Sequence, residues 1–167
     1  MNKQNKIPTK KELEILELLQ ENSRIKVREI AKKLKIPVTT THSKIKRLEK
    51  GGYIKEYTTI LDEKKLGLKT TAYILISFSY ETRDGRILDQ RKVAKKIAEI
   101  PQVQEAHIVT GDWDIIIKVR IRDVEELGRL IVDKLRRIEG VQNTLTSVVL
   151  ETIRETHKLP IKNIIKQ

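Results

Sequence analysis

The segment from Val38 to Lys50 carries side chains that could form hydrogen bonds and ion pairs with a polyanion. If it is a helix, one side presents hydroxyls, an imidazole and basic groups, and no acid. Such groups can hydrogen-bond base edges in the DNA major groove, and basic side chains can contact phosphates. We expect Thr40, His42 and Ser43 to contact bases, Lys46 and Arg47 bases or phosphates, Thr39 to lie beside them, and Arg28 and Lys55 to contact the DNA backbone.

The same pattern has a simpler explanation, a three-helix unit whose lysine-rich surface is only solvated. Two residues weaken the pattern of a DNA-binding helix pair. Thr41 interrupts the apolar side of the third helix, and Lys26 stands where a capping Ser or Thr is usual.

Other polar residues give little support for catalysis or metal binding. Asp112 and Asp114 are two apart, but Asp112 is predicted to lie in a turn, and no partner base or phosphate-binding glycine loop accompanies them. His42, His107 and His157 fall on separate elements without metal-ligand spacing. We therefore predict no catalytic residues, no metal site and no cofactor.

The predicted elements around these residues form a first domain over residues 1–61. An apolar stripe indicates a helix over Lys10–Glu21. The i, i+3, i+4, i+7 spacing of Val27, Ile30, Ala31 and Leu34 indicates a second helix, which Lys35-Ile36-Pro37 ends within a few residues. Thr39 is expected to cap the third helix. The segment Tyr53 to Leu61 is rich in β-branched and aromatic residues and favours a two-stranded wing.

Residues 62–69 are charged and contain one glycine, which predicts a hinge before a second domain over residues 70–167. There the order β-α-β-β-α-β predicts a ferredoxin-like sandwich, so the chain is α+β. A winged helix-turn-helix precedes this sandwich. The predicted strands are Thr70–Tyr80, Val103–Thr110, Trp113–Ile121 and Val141–Glu151, with a further edge strand over Ile153–Ile161, and the helices are Leu88–Ile100 and Val124–Ile138.

Both sides of the first of these strands are largely apolar. Ala72, Ile74, Ile76 and Phe78 alternate with Tyr73, Leu75 and Ser77. Two helices can cover only one face of the sheet, so we expect the other face to pack on the same sheet of a second copy.

Composition limits the functional classes. The formal net charge is +12, and the first 65 residues hold 17 of the 35 basic but 9 of the 23 acidic residues. This excess suits a polyanion, nucleic acid before an anionic membrane. The absence of cysteine excludes disulfides and thiolate metal sites. No apolar run is long enough to span a membrane and the start lacks a secretory signal, so we expect a cytoplasmic protein.

The chain resembles the Lrp/AsnC, or feast/famine, family of transcription regulators over nearly its whole length. ILELLQENSRIKVREIAKKL and IPVTTTHSKIKRLEKGGYIKEYTTILDEKKLG are similar to the DNA-binding half of that family. VQEAHIVTGDWDIIIKVRIRD and GVQNTLTSVVLETIRETHKLPI are similar to its effector-binding half. Lys26, Thr41 and a longer basic start and tail depart from the family pattern.

The resemblance implies a homodimer, possible octamers, and a small-molecule effector such as an amino acid. It places the effector against Thr110, Gly111, Asp112, Trp113 and Asp114, together with Asn143, Thr144, Thr146 and Ser147. A glycine turn can hold a carboxylate through backbone N–H groups, and Asp112 or Asp114 can receive an ammonium. The alternative is structural: Gly111 makes the turn, Asp112 caps it, Trp113 fills the core and Asp114 anchors the hairpin.

The leading prediction is a sequence-specific regulator that binds double-stranded DNA and does not act as an enzyme. One alternative is an enzyme similar to sirohaem decarboxylase subunits, which resemble the same two-domain layout and bind a tetrapyrrole. The acid-free outer side of the third helix argues against it. Another alternative is an architectural protein that wraps DNA with little sequence preference.

Overall fold

The computed structural model describes residues 7–165. The chain forms two compact units. Of the described residues, one unit contains 7–60 together with 154–165, and the other contains Leu61–Ile153. The predicted hinge, residues 62–69, therefore groups with the second unit.

Three helices build most of the first unit: α1 (Lys10–Glu21), α2 (Val27–Leu34) and α3 (Val38–Lys50). α1 and α2 were predicted from the spacing of their apolar residues, and the apolar residues of all three helices meet in one core. Ile15, Leu19, Ile30, Ile45 and Leu48 are its buried members. Residues from Tyr53 to Leu61 form no strand, so the predicted two-stranded wing is absent from this segment.

The second unit is a four-stranded antiparallel sheet with its helices on one face. Its elements are β1 (Thr70–Phe78), α4 (Gln90–Ala98), β2 (Val103–Ile108), β3 (Ile115–Ile121), α5 (Val124–Arg129) and β4 (Val141–Val148), and the strand order is β2-β3-β1-β4. This confirms the predicted ferredoxin-like sandwich. β1, β2 and β4 end earlier than predicted, whereas β3 ends at Ile121 as predicted but begins two residues later. α4 begins after Asp89, whose carboxylate accepts from the backbone N–H groups of Arg91 and Lys92.

The helix predicted over Val124–Ile138 is not uniform. After α5 the chain makes a π-helical turn, Leu130–Lys134, and then a 3₁₀ turn, Leu135–Arg137. The wider π-turn lets Leu130 and Leu135, five positions apart, both pack into the core beneath the sheet. Gly140 then starts the return to β4 at φ 95°, and a Cβ there would lie 2.8 Å from the Phe78 ring.

The two faces of the sheet differ in character. Ala72, Ile74, Ile76 and Phe78 of β1 are buried on the helix-covered face, as their alternation predicted. On the opposite face, cross-strand pairing aligns Leu75 with Ile116 on one side and Leu145 on the other. Lys118 is also on this face, where its Nζ lies 3.3 Å from Oε1 of Glu105.

The tail after Ile153 does not add the predicted edge strand. It is extended and ends in a short helix, α6 (Ile161–Ile165), that packs on α1. Gln20 exchanges two hydrogen bonds with the backbone of Leu159, and Lys158 Nζ donates to Glu21 Oε2 at 2.7 Å. Pro160 interrupts the strand pattern. Ile161 is buried in α6, which packs on α1 of the first unit.

We predict that Ile161→Ala loosens the tail from α1. Ile161 is 7% exposed, so truncation removes buried contacts worth about 2–4 kcal/mol. Hydrogen–deuterium exchange should become faster in residues 10–21 but not in β1. The matched control is Ile164→Ala, because that side chain is 49% exposed. Equal exchange in the two variants would contradict the packing described here.

Candidate DNA interface and effector site

The turn between α2 and α3 sets the start of the third helix. Lys35 ends α2 in the left-handed region at φ 53°, and Pro37 occupies the N-cap position of α3. Thr39 was expected to be this cap. It lies instead inside the first helical turn, because the fixed φ of Pro37 already starts the helix at Val38. The hydroxyl of Thr41 donates to the Pro37 carbonyl at 3.0 Å.

Three buried side chains orient α3: Thr41, Ile45 and Leu48. Val38 is apolar but exposed at the beginning of the helix. The outward side therefore carries polar and basic groups. All eight residues predicted to contact DNA are exposed: Arg28, Thr39, Thr40, His42, Ser43, Lys46, Arg47 and Lys55.

A groove of about 730 Å³ joins the beginnings of α2 and α3, and Arg28, Thr39, His42 and Ser43 are among its lining residues. Lys26 lines it as well. In neither α2 nor α3 does the side chain of the N-cap residue accept a hydrogen bond from the backbone N–H groups of the first turn. Unsatisfied N–H groups at a helix start attract anions, so this groove suits a DNA phosphate.

A second groove, of about 360 Å³, includes Thr40, Arg47 and a residue not predicted from the sequence, Glu12. Glu12 Oε2 accepts from Thr9 N at 2.8 Å and from Thr9 Oγ1 at 2.7 Å, and it also forms an ion pair with Arg47. Lys44 Nζ lies 3.9 Å from Oε1. The Thr-x-x-Glu spacing at the start of α1 is a capping-box signature that could have drawn attention to Glu12.

Glu12 is 0% exposed, and burial by itself raises the pKa of its carboxyl. The hydrogen bonds from Thr9 and the charges of Arg47 and Lys44 outweigh this effect and hold the pKa below its ordinary value. The carboxylate is therefore ionised at neutral pH, and it brings negative charge to the base of the acid-free outer side of α3.

The segment after α3 is held to it by a tyrosine. Tyr57 Oη donates to Glu49 Oε1 at 3.0 Å. Burial raises the pKa of Tyr57 to about 12, with the neighbouring Glu49 carboxylate contributing. Lys55 lies on this segment, which places it beyond the end of α3 rather than on a β-wing.

The hairpin between β2 and β3 contains the predicted effector loop. Gly111 has φ 114°, and Thr110, Gly111 and Asp112 are exposed, while Trp113 is half-buried. Asp114 Oδ2 accepts from Phe78 N at 2.8 Å, and Asp114 N donates to Ile76 O at 3.1 Å. Asp114 thus ties the loop to the end of β1, which is the structural role considered for it.

The four β4 residues predicted to contact an effector do not share a face of the sheet. Thr144 and Thr146 pair with the buried Ile76 and Ile74, so they lie on the helix-covered face. Asn143 and Ser147 lie on the opposite face and are exposed. Alternation along a strand makes this separation unavoidable. One small molecule bound to a single face could therefore contact only one of the two pairs directly.

Comparison with known proteins identifies both units. Residues 71–159 match the family model of the Lrp/AsnC ligand binding domain, and residues 8–55 match a model of winged helix-turn-helix DNA-binding domains. The chain belongs to the Lrp/AsnC family. An uncharacterized HTH-type transcriptional regulator from Pyrococcus abyssi is 48% identical over 141 residues, which are 84% of this chain and 91% of that protein.

Solved structures of similar proteins share the fold. AsnC of E. coli superimposes with a TM-score of 0.82 at 25% identity, covering 92% of this chain and 99% of AsnC. A transcriptional regulator from Neisseria meningitidis, in complex with L-Met, has a TM-score of 0.85 at 24% identity, covering 94% and 99%. The two family models and the Pyrococcus relative confirm the predicted Lrp/AsnC regulator and do not favour the tetrapyrrole enzyme.

Two searches of the described residues bear on other functions. No helix within residues 7–165 has the length and apolarity needed to cross a membrane. Over the same residues, no cluster of three or more His, Asp or Glu side chains could bind a metal ion.

We predict that Glu12→Gln changes how stability depends on pH. The pKa of Glu12 is lower in the folded protein than its ordinary value of 4.5. Glu12 therefore contributes stability above pH 4.5, and this contribution disappears as the pH falls through the folded-state pKa. In urea titrations followed by circular dichroism, wild type and Glu12→Gln should differ at pH 7 and converge toward pH 3. A constant difference across this range would contradict the prediction.

Proposed function

We propose that this Lrp/AsnC regulator binds specific sequences of double-stranded DNA with the outer side of α3. The observation that carries the proposal is the common exposure of Thr39, Thr40, His42, Ser43, Lys46 and Arg47 on one side of the helix. An α-helix fits the major groove, where hydroxyl and imidazole groups can hydrogen-bond base edges.

The proposed DNA contacts are of two kinds, contacts to bases and contacts to phosphates. Thr40, His42 and Ser43 lie in the first half of the helix, the part that enters the groove in helix-turn-helix proteins. Arg28 lines the groove at the uncapped helix starts, where a phosphate would meet both a guanidinium and backbone N–H groups. Lys55, beyond α3, is proposed as a second phosphate contact.

The sheet face without helices supports assembly of two copies. Leu75, Ile116, Leu145 and Tyr73 form an apolar strip on this face, and both Tyr73 and Leu145 are exposed in the single chain. Pairing two such faces would bury the strip and give a dimer with two recognition helices. The target sites would then be nearly palindromic, with half-sites spaced by a helical turn or a multiple of it.

We predict different effects for base-contacting and phosphate-contacting residues. The probes are a duplex enriched from a random pool by the wild-type protein and a random duplex of equal length. His42→Ala should weaken binding to the enriched duplex by about tenfold, because a base contact is worth about 1–3 kcal/mol. Lys46→Ala should weaken binding to both and lower the salt slope by about 0.9. Fluorescence anisotropy at several salt concentrations measures both effects.

The control for this experiment is Lys92→Ala, an exposed change of the same charge on α4. It should leave both affinities nearly unchanged. If the wild type binds the two duplexes equally, the protein wraps or coats DNA without sequence preference. Equal losses for both duplexes in His42→Ala would show that this residue does not read a base.

We further propose that an amino acid acts as effector at the β2–β3 hairpin. The Neisseria relative was solved with L-Met, and the Lrp/AsnC ligand-binding model covers residues 71–159. Exposed Asp112 beside Gly111 could receive an ammonium while turn N–H groups receive the carboxylate. Asp114 is already bonded to Phe78, so we propose that it shapes this loop.

Trp113, the only tryptophan, provides a local probe of this hairpin. L-Met and the other nineteen amino acids are added separately at saturating concentration. We expect at least one of them to change the fluorescence of Trp113 and to raise the melting temperature of the protein. A ligand at 100 times its Kd adds about 2.7 kcal/mol to stability.

Asp112→Ala should abolish this response without changing the melting temperature of the free protein. Asp114→Ala should lower the melting temperature even without ligand, because Phe78 N loses its acceptor. A full response in Asp112→Ala would rule out the proposed ammonium contact.

A further inference from the structure

Arg47 lies where two kinds of anion can compete for it. Its side chain is 55% exposed on the outer side of α3, but it also pairs with the fully buried Glu12 of α1. An exposed arginine on a flexible stem can pair with the phosphates of any DNA sequence, so it contributes to binding without contributing to specificity.

The Glu12 carboxylate is itself held in place. The N–H and hydroxyl of Thr9 both donate to Oε2, the oxygen that contacts Arg47. Among the described residues, Oε1 has no hydrogen-bond partner, and Lys44 Nζ lies 3.9 Å from it. A buried carboxylate with these partners cannot move outward without losing the Thr9 hydrogen bonds.

We propose that Glu12 is a positioning residue that determines DNA specificity by holding Arg47 and Lys44 in place and weakening their attraction to phosphates of unrelated sequences. The inference rests on the proposed DNA contact of α3. It assigns a function to a residue of α1 that lies outside the helix-turn-helix itself.

The geometry leaves Arg47 able to contact DNA. A guanidinium has five N–H donors in a planar fork, and the structure shows Nη2 at Glu12. The rest of the fork can therefore face the groove while one edge stays on the carboxylate. A side chain already held in this way loses less conformational entropy when it meets the correct base. It also has less freedom to follow a phosphate in an incorrect register.

The cluster also lowers the local charge. Lys44 and Arg47 bring two positive charges to the second groove, and Glu12 offsets one of them. Without that negative charge, the groove would attract the backbone of every sequence more strongly. Specific and random DNA would then differ less in affinity.

Glu12→Gln separates this function from helix capping. Glutamine at the third helical position can still accept from the Thr9 backbone N–H, as glutamate does in a capping box. The substitution therefore removes the charge and retains the cap. Glu14→Gln is the matched control, since Glu14 lies on the same helix, makes the same change in net charge, and pairs with Lys11 at 2.8 Å.

The test uses the full chain and the enriched and random duplexes described above. We expect Glu12→Gln to bind random duplex about five- to tenfold more tightly, with a salt slope steeper by about 0.9, equivalent to one more phosphate contact. The ratio of enriched to random affinity should fall about tenfold. Glu14→Gln should change both affinities by the same small factor.

Removing the Arg47 guanidinium tests whether Glu12 affects DNA specificity through Arg47. Glu12→Gln should change the logarithm of the ratio of enriched to random affinity both in the wild type and in an Arg47→Gln background. The change in the Arg47→Gln background should be less than half of the change in the wild type. Glu12→Asp keeps the charge but shortens the reach to Arg47, so it should lower the ratio without steepening the salt slope. This second variant also serves if Glu12→Gln does not fold.

The outcomes separate this inference from the proposed function. If the wild type does not discriminate between the duplexes, the sequence-specific function is wrong and the inference falls with it. If the wild type discriminates and neither Glu12 variant alters the ratio, only the inference is wrong. Loss of the helical circular dichroism signal in both variants would show that Glu12 only supports the fold, and would also overturn it.

Discussion

Three side chains on one side of α3 determine what the rest of the helix can do. Thr41, Ile45 and Leu48 pack on α1 and α2. Because these three residues fix which side of α3 faces the core, the polar residues between them face outward. The core is built almost wholly from aliphatic side chains, so it tolerates a lysine-rich surface without burying charge. The exception is Glu12, which is accepted because Thr9 and Arg47 satisfy the oxygen that faces them.

The sheet unit depends on a similar division between two faces. The residues of β1 and β3 beneath the helices are buried and, apart from Phe78, aliphatic, and Gly140 lets the chain pass close to the Phe78 ring. The opposite face mixes an apolar strip with the Lys118–Glu105 ion pair. Such a face is too apolar to be favourable in water over its whole area, yet the ion pair restricts the registers in which another sheet could cover it.

Much of this fold could be predicted from local patterns, because the spacing of apolar residues directly reflects which side of an element is buried. The spacing of Val27, Ile30, Ala31 and Leu34 predicted α2, and the alternation in β1 identified its buried face. The N-cap of α3 and the contacts between distant elements were harder to predict. Thr39 looked like a cap because its hydroxyl suits that role, but Pro37 is the cap and starts the helix two positions earlier. The partner of Arg47 was missed because ion pairs between distant elements leave no periodic signal. The separation of Asn143 and Ser147 from Thr144 and Thr146 follows from alternation along β4, so the sequence alone could have predicted it.

The packing of α6 on α1 also affects the order in which the protein can fold. Synthesis begins at the amino end, so α1, α2 and α3 emerge before any strand of the sheet. The contacts of Gln20 and Glu21 with the tail, however, require residues that are made about a hundred positions after α3, once β1 to β4 have left the ribosome. The DNA-binding unit is thus the first to start folding and the last to be completed, and it gains its full set of contacts only in a chain that already contains the whole sheet unit.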